Sequence, residues 1–492
     1  MSRQPNVLLL FCDQLRSDVI RQLGNPIIRT PNLDRLCREG TAFTSAYSPC
    51  PVCVPARASM HYGQYPMNTG CYENRDPMPE DGRPSFMQAL ADNGYRTHGI
   101  GKCHFTPKPH DLRGFQSRER QEEGGRPPEV DEYTAFLAER GHHWLREPHG
   151  VRGEMYYVPQ LSPLPADEHP TQWIGDRTLD FIRGEGASSQ PWMLFSSFIH
   201  PHPPFAPPSP WHKIYRAARM PLPRVPADAE SLHTYINRRQ NRYKYRDQGI
   251  DQNLLRCMKA HYYACVSFID YQVGRILAAL EDAEQLDDTL ILFTADHGEH
   301  LGDYNCFGKR SMHDTCARVP LLARMPSQFE AGVRCEAPVS LVDVAPTILN
   351  TSGNRGNDMQ LDGCDLRAVA AGETQRDQVF IQYDCGQRAI YSIVTPEWKF
   401  SYSAADDREF LFDRVQDPLE NRNQAGLVFN RDVCKRLRDR LIRFLNDGGE
   451  GAAVKDGDWR RYPSLEVPAD PDSGLLIQDP PKWEWDLPGY SD

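Results

Sequence analysis

Unbroken apolar runs alternate with amphipathic stripes along most of the chain, and the two patterns predict different elements. Asn6–Cys12, Trp192–Ile199 and Thr289–Thr294 are apolar without alternation, as strands buried on both faces of a parallel sheet are. Helical patterns lie between them. Asn32–Gly40 closes on a glycine stop signal, and Pro84–Asn93 sets Phe86, Met87 and Leu90 before Gly94. A stripe through Tyr262, Val266, Ile269, Val273, Ile276 and Leu280 predicts a helix over Leu254–Leu280. Strands alternating with helices imply an α/β sandwich around a mostly parallel sheet.

The pattern changes near Gln375. Val379–Tyr383, Ala389–Val394, Trp398–Tyr402 and Glu409–Asp413 are short strands separated by turns, which predicts an antiparallel sheet. A helix over about Asn430–Asn446 follows, with Val433, Leu437, Leu441 and Leu445 on one face and Gly448–Gly449 as its stop. We therefore expect a main domain over 1–374, a small α+β subdomain over 375–462 and an extended tail over 463–492. The tail is rich in Pro, Asp and Trp. It reads either as disordered or as an irregular arm against the body or a neighbouring subunit, so a homo-oligomer through it is an expectation. Pro201–Pro210 and Met220–Pro226 read as surface loops, and Pro109–Gly153 as an insertion over the rim of a site.

Composition narrows the class. With 492 residues, 39% hydrophobic and 25% charged, the chain suits a globular protein of about two domains. A net charge of -11 argues against a nucleic-acid surface. The 14 cysteines are scattered, which suits reduced thiols in a cytoplasmic protein more than a disulfide scaffold. The first apolar run leads into Asp13–Arg16 without a cleavage-site pattern, and no run is long enough to span a membrane.

Several residues could carry chemistry, each with a plainer explanation beside it. Cys53 precedes a helix start, where the peptide dipole favours an anion, and Arg57 lies four residues on. Its guanidinium could pair with an oxyanion or orient a nucleophile. Cys50 and Cys53 also form a Cys-x-x-Cys, which can be a redox pair or half a zinc site. Asp13 and Asp296–His297 both follow strands, and ligands bind at the carboxyl ends of strands in open α/β sheets. A hard divalent cation would suit them, with His297 tilting the choice slightly toward a transition metal. Asp13 could instead cap a helix, and His297 could be a core histidine. Lys102 and His104 share a face if extended. A solvated lysine and packed histidines would equally explain Lys102, His104, His200, His202 and Lys309.

Taken in order, these motifs resemble the type I sulfatases. Cys53-Val54-Pro55-Ala56-Arg57 matches the Cys-x-Pro-x-Arg signature, Gly101–His104 the Gly-Lys-x-His motif, and Pro201–Phe205 the Pro-His-x-Pro-Phe motif. Blocks at Thr30–Leu36, Phe268–Gly274, Leu341–Thr347 and Leu411–Glu420 also look like family blocks. The resemblance implies an alkaline phosphatase-like α/β/α sandwich with a C-terminal antiparallel subdomain. It implies that Cys53 is oxidised to Cα-formylglycine by a maturation enzyme. One hydroxyl of the hydrated aldehyde attacks sulfur, and the other lets the sulfate ester collapse. Asp13, Gln14, Asp296, His297 and residue 53 would surround one divalent ion, calcium ahead of magnesium or manganese. Lys102 would bind sulfate, and His104 would help remove a hydroxyl proton. His202 would protonate the leaving alcohol, and Lys309 would bridge the transferring group and leaving oxygen. Asn74 falls where relatives carry an active-site Asn. Arg57, Lys102, Lys309 and the ion would stabilise charge on the sulfuryl oxygens.

Two departures matter. Ala56 replaces the more usual Ser, and Gln14 replaces a common second Asp with one charge fewer. The pairing of Asp13–Gln14 with Asp296–His297 also resembles the phosphonate monoester hydrolase branch. Gly-Lys-x-His-Phe and Leu112–Phe115 look closest to a choline-sulfatase-like branch. The expected activity is hydrolysis of a choline, sugar or aryl sulfate. The competing readings are a phosphonate monoester or phosphodiester hydrolase, and a non-catalytic binding protein with unmodified Cys53.

Overall fold

The computed structural model describes residues 4–123, 130–152, 156–245, 251–354 and 359–468. Its main sheet has eight strands, in the spatial order Ser117–Arg120, Arg96–Gly101, Trp192–Phe198, Asn6–Cys12, Thr289–Ala295, Leu321–Arg324, Thr41–Phe43, Val333–Cys335. The first five are mutually parallel. Leu321–Arg324 runs antiparallel to both neighbours. The three strands expected from unbroken apolar runs lie side by side at the centre, and every residue of each is buried. That is the pattern a sheet covered on both faces requires.

Register places the site. Cys12 pairs with both Phe198 and Ala295, so the chain leaves Asn6–Cys12 and Thr289–Ala295 at the same level. Asp13 and Asp296 are the next residues, and Asp296 N donates to Cys12 O at 3.3 Å. The long helix Gln252–Asp282 starts at Asp251, whose carboxylate accepts from Asn253 N and Leu254 N. It buries Tyr262, Val266, Ile269, Val273, Ile276 and Leu280 as its stripe predicts. It also serves the site, because Tyr262 Oη donates to Gln14 O at 2.8 Å.

The C-terminal strands Val379–Tyr383, Ile390–Val394, Trp398–Ser403 and Arg408–Asp413 form an antiparallel meander in sequence order. Helix Arg431–Asp447 packs on it through Cys434, Leu437, Leu441 and Leu445. Cys434 takes the buried place that the periodicity gave to Val433, which is only half-buried.

Two loop expectations change. Residues 201–207 are buried rather than at the surface. The Pro109–Gly153 segment is more than a rim insertion: its Ser117–Arg120 part forms the edge strand of the main sheet. The tail beyond 468 lies outside the described residues. Among the described residues no helix is long and apolar enough to cross a membrane.

Candidate active site

Cys53 is the first residue of helix Cys53–Tyr62, which carries no side-chain cap at Val52. A helix start leaves backbone N–H groups unpaired. One of them, Val54 N, is taken by Asn74 Oδ1 at 3.0 Å. Asn74 therefore fixes the start of the helix on which Cys53 stands.

The Cys53 thiol is fully buried among charges. Lys309 Nζ lies 2.9 Å from its Sγ, His297 Nε2 3.3 Å and Asp13 Oδ1 3.6 Å. Burial and the Asp13 carboxylate oppose ionisation, but Lys309, Lys102 and His297 outweigh them and bring the thiol down to about 5. Cys50 differs. Burial pushes its thiol well above the usual range, and all fourteen cysteines are free.

Asp13, Cys53, Asp296 and His297 each offer one donor atom, all within 4.8 Å of one another. His297 Nδ1 lies 2.9 Å from Gly298 O. The carbonyl can only accept, so Nδ1 carries a proton, and Nε2 is the nitrogen that faces the cluster. Gln14 adds a further oxygen: its Oε1 is buried and has no partner among the described residues. An orphaned buried carbonyl beside two carboxylates and an imidazole is what a divalent ion would satisfy. Asp13 caps no helix.

Arg57 lies behind these ligands. Its Nε donates to Asp296 Oδ2 at 3.0 Å, its Nη2 to Asp13 Oδ2 at 3.3 Å and its Nη1 to Lys102 O at 2.6 Å. Burial pushes the two carboxylates up, but Lys102, Lys309 and Arg57 hold Asp13 well below the usual range. Asp296, with Asp13 beside it, stays raised.

Lys102 Nζ lies between Asp13 and Glu123, donating to both. Glu123 also accepts from Arg152 Nη2 at 3.2 Å and lies 3.6 Å from His202 Nε2. His202 places Nδ1 2.8 Å from Pro203 O, which fixes the proton there and leaves Nε2 facing Tyr156 Oη at 3.3 Å. Burial, with Lys309 next, keeps the His202 imidazole well below its usual pKa. His104 holds a left-handed backbone, φ 54°. Its Nδ1 has no partner among the described residues, and burial with Lys102 lowers its pKa to about 3.

Comparison with known proteins settles the family. The sulfatase family model matches residues 5–353, and a model described as N-sulphoglucosamine sulphohydrolase, C-terminal, matches 302–447. The chain belongs to the sulfatase family. An arylsulfatase of Clostridium perfringens is 28% identical, over 94% of this chain and 98% of its own. The multifunctional alkaline phosphatase superfamily protein PehA of Trinickia caryophylli is 31% identical, over 86% and 91%. Among solved structures, a phosphonate monoester hydrolase of Agrobacterium radiobacter superposes with a TM-score of 0.78 at 26% identity, over 93% of this chain and all of its own. The sulfatase fold is thus an alkaline phosphatase-like one, and the protein is a sulfuric ester hydrolase.

This sulfatase brings together Asp13, Gln14, Cys53, Arg57, Lys102, His202, Asp296, His297 and Lys309, with Asn74 at the helix start and His104 beside Lys102. Sequence reasoning missed Glu123, Glu73 and Glu299. Glu123 follows Gln121 and Glu122 in a polar run that looks solvated. Glu299 closes the Asp296–Glu299 motif but carried no assigned role.

Proposed function

We propose that this sulfatase hydrolyses a small-molecule or saccharide sulfate monoester at residue 53, after Cys53 is matured to formylglycine. One observation carries the reading: Lys309 Nζ is 2.9 Å from a buried Cys53 Sγ that also borders the oxygen and nitrogen donors of a metal cluster. When bound, a divalent ion held by Asp13, Gln14, Asp296 and His297 supplies positive charge beside residue 53, and formylglycine supplies a hydrated aldehyde hydroxyl as nucleophile.

The chain's own residues do the rest. Arg57 spends its donors on Asp13, Asp296, the Ser197 hydroxyl and a backbone carbonyl, so it holds the ligands in place. Lys102 and Lys309 flank the reacting position, where fixed charge is worth most to a developing anion. His104, kept neutral at about 3 by burial and Lys102, can accept a proton from residue 53. His202 is neutral before substrate arrives. An anionic ester against Nε2 favours its protonated form, which then donates to the leaving alcohol. The fourteen free cysteines suit a reducing compartment such as the cytoplasm.

A second reading is phosphonate monoester hydrolysis. It is favoured by the neutral ligand Gln14 and by the structural neighbour with that activity. Expression with a formylglycine-generating enzyme tests both. The peptide bearing residue 53 is expected to carry an aldehyde by mass, and an aryl sulfate is expected to turn over faster than an aryl phosphonate monoester. The reverse preference establishes the second reading. A retained thiol without activity on either ester overturns both.

A further inference from the structure

Glu299 takes no part in the roles above, yet its carboxylate is fully buried and surrounded by donors. Oε2 accepts from Gln14 Nε2 and from Tyr157 Oη, the latter at 2.9 Å. Oε1 accepts from Leu301 N at 3.0 Å and from Gly308 N. The carboxylate meets the amide nitrogen of Gln14, which leaves Oε1 on the opposite side of the same planar group. That Oε1 is the buried atom without a partner among the described residues.

The backbone of Gln14 is fixed independently. It holds a left-handed conformation, φ 64°, with its N–H on Asp296 Oδ1 at 3.0 Å and its carbonyl under Tyr262 Oη. Only the end of the side chain is left to orient, and Glu299, with the Tyr157 hydroxyl beside it, holds that end. The same carboxylate holds Gly308 N, one residue before Lys309, so a ligand and a substrate-facing cation share one anchor.

We propose that Glu299 is a positioning residue that makes Gln14 present its carbonyl, rather than its amide, to a divalent ion. This rests on the reading of Gln14 as a ligand. A glutamine in place of a common carboxylate can point either way, and Glu299 removes the choice. Groups behind metal ligands fix their orientation, and losing one weakens metal affinity by about 10–100-fold.

The test measures Mn2+ dissociation constants of the full chain by electron paramagnetic resonance, with apo-protein melting as a folding control. E299Q is expected to weaken Mn2+ by about 10–100-fold. Because Glu299 acts through Gln14, adding E299Q to Q14A is expected to cost nothing more. Should E299Q not fold, E299D keeps the charge, shortens the reach and is expected to weaken Mn2+ as well. Wild-type protein that binds no Mn2+ overturns the ligand reading of the site, and this role with it. Wild-type binding unchanged in E299Q, or in E299D where that is the variant that folds, overturns the positioning role alone. So does a full E299Q effect that persists in the Q14A background.

Discussion

Cys53 and His202 face each other across the same cations with opposite consequences. Lys309 and Lys102 make an anion at residue 53 easy to hold and a second cation at His202 hard to hold. An ester that brings its own negative charge reverses the second effect, which suits an acid needed only when substrate is present. His202→Ala is therefore expected to cost more on esters with poor leaving groups than on activated aryl esters. Matching losses of kcat/KM across a leaving-group series would remove His202 as the acid. His202 and Lys309 were legible because ordered motifs surround them. Glu123 and Glu73 were not, because a paired, half-buried carboxylate and a solvated one look alike until the chain brings their partners from distant positions. For Glu73 those partners are Arg310 and Tyr383.

That trio joins the C-terminal meander to the active site. Tyr383, on strand Val379–Tyr383, donates to Glu73 Oε2 at 2.6 Å. Arg310 donates to both Glu73 oxygens at 3.0 Å, and Asn74 N to Oε1 at 2.7 Å. Glu73 thus holds the neighbour of Lys309 on one side and the residue that caps the Cys53 helix on the other. Tyr383→Phe removes a hydrogen bond to a charged, half-buried group. The expected loss is about 1.5–3 kcal/mol in urea unfolding, with a fall in kcat. Unchanged turnover would mean that the sheet braces the body without bearing on the site. The meander itself was legible from period and turns, with strand ends off by a residue at most. The buried loop over 201–207 was not, because proline content signals a break in regular structure and says nothing of what later covers it.

Charge is spread through the interior of the whole protein, and acid acts on it. His61 and His200 are almost fully enclosed, and burial holds them at about 3 and about 4. An unfolded chain protonates histidine near 6.5, so below that value it binds more protons than the folded protein. The sign is then fixed: stability falls as pH drops from about 6.5 toward 4, by roughly 1.4 kcal/mol per pH unit for each such histidine. Melting across that window checks it, and a flat profile would contradict it. Cys53 has no exposed surface and lies under Lys309. A modifying enzyme cannot grip a side chain enclosed on all sides, so on the proposed maturation it has to meet the chain before this helix docks. Conversion and folding then run as competing clocks, and the yield of active protein is set by which finishes first.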